Sequence, residues 1–154
     1  MLIIRTLLAV VLAASASAPA VADDWRLTAV RPTKYGLSLS FINAESIRGA
    51  HGQVEFSGAT YFSRQTRQMN RVSVRVSADC GSRMFRLQQI TSYRNQQPIG
   101  EWQSTAAVPA KPPSNVFDQI SAACGFSDLG IHVRSPERLV TDYFGRPPRR
   151  MRAF

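Results

Sequence analysis

Val72-Ser73-Val74-Arg75-Val76-Ser77-Ala78-Asp79-Cys80 carries an apolar residue at every second position as far as Ala78. Side chains of a strand alternate between its two faces, so this spacing predicts a half-buried strand with Arg71, Arg75 and two serines facing out. The stretch ends in Cys80, one of the chain's two cysteines. The other, Cys124, closes a segment of a different period. Val116, Phe117, Ile120, Ala123 and Cys124 share one stripe of an amphipathic helix, with Ser114 suited to the N-cap and Gly125 to the stop. A Cys80–Cys124 bridge pins that helix to the sheet; two free buried thiols are the alternative.

Working outward, Trp25 to Val30 reads as a short strand, and Leu37, Leu39 and Phe41 alternate with serines in a second. Asn43 to Arg48 breaks the alternation as a turn or a single helical turn, and Gly49 and Gly52 open a hairpin. Val54 and Phe56 begin the return strand, Gly58 suggests a bulge in it, and Tyr61-Phe62 close it. Ser63 to Arg71 is polar and aperiodic, a surface loop. After the valine strand, Phe85 and Leu87 point inward on an answering strand that runs to Tyr93. Asn95 to Gly100 is a turn, Glu101-Trp102-Gln103 a short edge piece, and Ala106 to Pro113 an irregular connector. Ser135-Pro136-Glu137 starts a brief second helix that ends before Gly145, and the arginine-rich end is expected to be disordered.

Residues 1–22 have the pattern of a secretory signal: Arg5, an apolar run from Leu7 to Ala14, and Ala20-Val21-Ala22 before Asp23. The expected organisation is a signal segment (1–22), one domain (23–125) and a basic, partly disordered extension (126–154). Export, to the periplasm or the cell surface, also makes a disulfide the expected state of two cysteines.

The formal charge is +9, and of 19 basic residues 17 are arginine. Residues 64–94 hold seven arginines against Asp79 alone. If the hairpin forms, Arg71, Arg75 and Arg86 share one outward face beside the loop of Arg64 and Arg67. Arginine suits bidentate contact with carboxylate, sulfate or phosphate, so these five are the candidate binding residues. A solvated sheet face with arginines laid over strand side chains is the plainer reading. The end with Arg149, Arg150 and Arg152 is a second basic candidate, for peripheral membrane contact through lipid phosphates or for nucleic acid, with a merely solvated tail the plainer reading.

Catalytic constellations are not legible. His51 falls in a hairpin turn and His132 beyond Cys124, and no spacing brings them together. The carboxylates are scattered singly, and neither a glycine-rich phosphate loop nor a zinc spacing appears. The chain therefore reads as a non-enzymatic protein without cofactor or metal. Trp25 and Trp102 read as core or sheet-edge fillers.

Taken in order, Phe41-Ile42-Asn43, Glu45-Ser46-Ile47, the strand at Val54-Glu55-Phe56, Asp79-Cys80, Arg86, Tyr93, Trp102 and Val116 to Cys124 resemble the surface-adhesin protein E family of Gram-negative bacteria. The resemblance covers about Trp25 to Cys124. It implies an α+β fold, an antiparallel sheet of about five or six strands with a C-terminal helix on one face, stapled by the disulfide. It also implies an exported module, the family's named member being an adhesin for host matrix and serum proteins. With the arginine clustering, the expected partner is a host matrix protein, a glycan or another envelope component, and nucleic acid is disfavoured. Asn43 stands where the family usually has an aspartate, and the family's named adhesin is a lipoprotein, whereas no cysteine lies near this cleavage site. A periplasmic accessory protein that docks another envelope protein is the alternative.

Overall fold

The valine alternation forms the strand it predicts. In the computed structural model, which describes residues 23–34, 36–66, 69–104 and 106–145, it lies within the strand Met69–Asp79. The expected signal segment, Arg67 and the arginine-rich end from residue 146 lie outside the described residues. Among those residues the strands are β1 (Trp25–Thr33), β2 (Gly36–Ala50), β3 (Gln53–Thr66), β4 (Met69–Asp79), β5 (Met84–Arg94), β6 (Gln97–Trp102), β7 (Val108–Pro109) and β8 (Ile131–Val133). The helices are α1 (Asn115–Ala123) and α2 (Pro136–Gly145). One antiparallel sheet has the order β6-β5-β4-β3-β2-β1-β8, and β7 pairs with the start of β5.

The sheet has eight strands rather than five or six. β7 and β8 span two and three residues, too few to show a period. The polar stretch from Ser63 to Arg71 is mostly strand, since β3 continues to Thr66 and β4 begins at Met69. Ladder hydrogen bonds need no apolar side chain, so a hairpin can outrun its core. Asn43 to Arg48 stays within β2 as an irregularity in the β2–β3 register. There the Asn43 carboxamide accepts from the Glu45 N–H and the Ser46 hydroxyl donates to the Asn43 carbonyl. Two tight turns fold the meander: His51-Gly52, with φ of 55° and 80°, and Asn95-Gln96, with φ of 47° and 71°. Positive φ at both central residues matches the twist of the paired strands.

Both faces of the sheet are covered, each by one helix, instead of one face alone. On the first, Ile42, Phe56, Val76 and Ala78 pack with Ile120, Val116 and Phe117 of α1. The Ser114 hydroxyl accepts from the Phe117 N–H as N-cap, and Arg31 forks onto Asp118 to tie β1 to α1. Cys80 and Cys124 are bridged, joining the end of β4 to the end of α1 across 44 residues of chain. On the opposite face, Leu39, Phe41, Ala59, Tyr61 and Val133 pack with Leu139, Val140 and Phe144 of α2. The sheet does not stop at the expected boundary after Gly125, because β8 pairs with β1 through Trp25 and Val133.

One polar side chain seats α1. Gln119 is wholly buried, and its Nε2 donates to the Phe41 and Ala59 carbonyls at 2.9 and 3.3 Å. Gly58 makes room for it. This glycine sits in regular register between Ile42 and Val74, so it marks no bulge. A Cβ here would stand 2.8 Å from Gln119 Nε2 and 3.0 Å from its Cδ.

Gly58→Ala should therefore cost about 1–3 kcal/mol in urea unfolding, through overpacking against a side chain with nowhere to move. Adding Gln119→Ala should make the pair of changes strongly non-additive, and additivity would show that the clash is not the cause. Reducing the Cys80–Cys124 bridge should remove about 4 kcal/mol of stability. A thiol assay on the unreduced, denatured chain should read zero.

Candidate binding face

The face under α2 is only half covered. Registers across β5, β4, β3 and β2 arrange it in rows: Tyr93, Arg71, Tyr61 and Leu39; then Thr91, Ser73, Ala59 and Phe41; then Gln89, Arg75, Ser57 and Asn43; then Arg86, Ser77, Glu55 and Arg48. α2 lies over the apolar members of the first two rows. Among the described residues no helix covers the β4–β5 side of the lower rows, where Arg75 and Arg86 are exposed.

The five candidate arginines do not act as one group. Arg71 is turned to the fold's own use. Its guanidinium lies 3.7 Å from the centre of the Tyr93 ring and 3.4 Å from Glu137 Oε1 on α2, and its side chain is 19% exposed. The Tyr61 hydroxyl donates to the same Glu137 oxygen at 2.6 Å. Arg71 and Tyr61 thus clamp the first turn of α2 to the sheet. Burial, reinforced by the Glu137 carboxylate, pushes the Tyr61 phenol far above its ordinary range. Burial works against ionisation of Glu137 too, but the Tyr61 hydroxyl, the helix backbone, Ser135 and Arg71 outweigh it and hold the carboxyl below its usual value.

Arg75 and Arg86 are exposed, and neither has an ion pair or hydrogen bond among the described residues. Arg86 stands opposite Ser77, two positions from Arg75 along the ladder and one strand across, so the two backbones are about 8 Å apart. Arg64 is exposed near the far end of β3, about 23 Å along the strand from Ser57, the cross-strand neighbour of Arg75. Arg67 lies outside the described residues. Among the described residues the candidate site therefore narrows to Arg75 with Arg86.

Two acids share this face. Glu55 accepts from Gln88 Nε2 at 2.9 Å, and Glu101 accepts from Gln89 Nε2 at 2.8 Å. They come from β3 and β6, outside the arginine-rich segment, so a count along the chain does not find them. Beside Arg75 the sheet forms an open hollow of about 220 Å³. Its lining includes the hydroxyl residues Ser57, Ser73 and Thr91, with Trp25 and Tyr93 as aromatic members. The period-two reading already turned Ser73 and Arg75 outward together; Ser57 and Thr91 needed the register.

The histidines stay apart. His51 is in the β2–β3 turn, while His132 on β8 lies 2.8 Å from Asp24. Arg26 first, then His132, holds the Asp24 carboxyl below its ordinary value. Among the described residues no group of three or more His, Cys, Asp or Glu could hold a metal ion, and no helix is long and apolar enough to cross a membrane. The bridge is compatible with an oxidising compartment. Trp25 is half buried against the α2-side core, whereas Trp102, on the edge strand β6, is 57% exposed.

Among known proteins no family model, no curated protein and no solved structure matches the chain. The likeness to surface-adhesin protein E rests on the sequence pattern alone.

The clamp on α2 makes its docking sensitive to acid. Glu137 has a lower pKa folded than unfolded, so its contribution is present above the ordinary carboxylate value and is lost as pH falls through the folded one. Hydrogen exchange in α2 should accelerate below that range before the β3–β4 ladder opens. In Glu137→Gln the acid dependence of that step should flatten; an unchanged profile would show that another group controls it.

Proposed function

We propose that this chain is an exported, non-enzymatic binding module that holds an acidic partner on the open half of its sheet through Arg75 and Arg86. One observation carries the reading. These two guanidiniums are exposed and, among the described residues, unpaired on the part of the face that α2 leaves bare, while Arg71, on the same face, is engaged by Glu137 and Tyr93. A charge that the fold itself uses is accounted for; two that it does not use are available to a carboxylate, sulfate or phosphate. Export is supported by the pattern of residues 1–22 and by the disulfide. The resemblance to surface-adhesin protein E points the same way, toward recognition of a protein or polyanionic partner outside the cytoplasm.

A second reading follows from β6. This edge strand exposes Ile99 and Trp102, and among the described residues no strand pairs with its outer side. An extended segment of another envelope protein could add to that edge, which suits a periplasmic accessory role.

Poly-L-glutamate separates the two. Binding to the full chain should be abolished in Arg75→Ser/Arg86→Ser, retained in Arg64→Ser, and unaffected by Trp102→Ser. The double variant should melt at the parent temperature, since neither side chain supports the fold. Binding retained by the double variant would overturn the site assignment.

A further inference from the structure

We infer that the hollow beside Arg75 is a subsite for a single acidic sugar residue of the uronic acid kind. This rests on the binding face proposed above and names its ligand. Three features of the hollow select the class.

The first is its unused hydrogen-bonding capacity. The hydroxyls of Ser57, Ser73 and Thr91 have no side-chain partner among the described residues. They stand on three adjacent strands, Thr91 opposite Ser73 and Ser57 opposite Arg75, so the sheet fixes their spacing. Gln89 adds a carboxamide whose Nε2 is already held by Glu101, which leaves its oxygen as a free acceptor. A row of donor-acceptor hydroxyls on a rigid ladder suits a ligand that is itself a ring of hydroxyls.

The second is the charge balance. Arg75 supplies one unpaired guanidinium, which can fork onto one carboxylate. Glu101 and Glu55 flank it on the same face and confine the positive field to the neighbourhood of Arg75. One negative charge per residue, separated by neutral hydroxyl-bearing atoms, meets Arg75 without running into either acid.

The third is size and wall chemistry. A volume of about 220 Å³ is below the roughly 300–1,000 Å³ of pockets that engulf whole ligands, so the hollow takes one residue of a larger molecule. Trp25 and Tyr93 supply apolar aromatic surface for the carbon face of a pyranose. Tyr93 is braced by Arg71, which keeps that wall in place before any ligand arrives.

The test uses the full chain in a Trp102→Phe background, so that emission reports Trp25. Oligogalacturonate should alter that emission and bind at least about tenfold more tightly than a neutral hexose oligomer of equal length. Ser73→Val and Thr91→Val, checked by thermal melting, should each weaken oligogalacturonate by about three- to tenfold and leave poly-L-glutamate binding unchanged. Arg75→Ser should lose both probes. If poly-L-glutamate binds through Arg75 but oligogalacturonate binds no better than the neutral oligomer, or ignores the valine variants, the sugar subsite is overturned and the binding face stands. If neither probe depends on Arg75, both fall.

Discussion

Every residue of β2 from Ser38 to Asn43 is buried. A strand buried on alternating side chains from both faces must have something packed above and below it. That requirement organises the molecule. α1 answers it on the side of Ile42, and α2 on the side of Leu39 and Phe41. The two serines, Ser38 and Ser40, share the side of Ile42 and stay buried because each finds oxygen partners within reach: the Arg31 carbonyl and Asn115 for Ser38, the Thr60 hydroxyl for Ser40. Gln119 meets the same demand by half: its buried Nε2 donates to the Phe41 and Ala59 carbonyls, while its Oε1 has no partner among the described residues.

The binding face is what this arrangement leaves over. α2 is ten residues long, enough to roof β1 to β3 and to reach β4 only at Arg71. Beyond it, β4 and β5 present polar side chains to solvent, and their outward positions carry hydroxyls and guanidiniums. Function is thus proposed where the roof ends.

The parts legible from the chain are those where one period governs one side. The valine strand shows it, because only its valine face is buried; α1 shows it, because a single stripe faces the sheet. The cysteine at the end of each pointed to the bridge. β2 misleads for the opposite reason. Leu39 and Phe41 alternating with serines reads as one wet face, yet both sides are dry. Gly58 reads as a bulge when the cause is a side chain from a helix about sixty residues away in sequence. Arg71 and Arg75 look alike in sequence, and only the position of Glu137 on α2 separates their roles. β8 has three residues, two of them exposed, and no pattern of its own length could announce it.

The pairing of β1 with β8 carries a consequence for biogenesis. The contact between Asp24 and His132 spans 108 positions, so the first strand to be synthesised waits for nearly the last described segment. Until β8 and α2 emerge, the Leu39–Phe41 side of the nascent sheet has no cover. Non-local pairing of this kind closes slowly, so that apolar side is the part of the folding chain exposed longest to aggregation or to a chaperone.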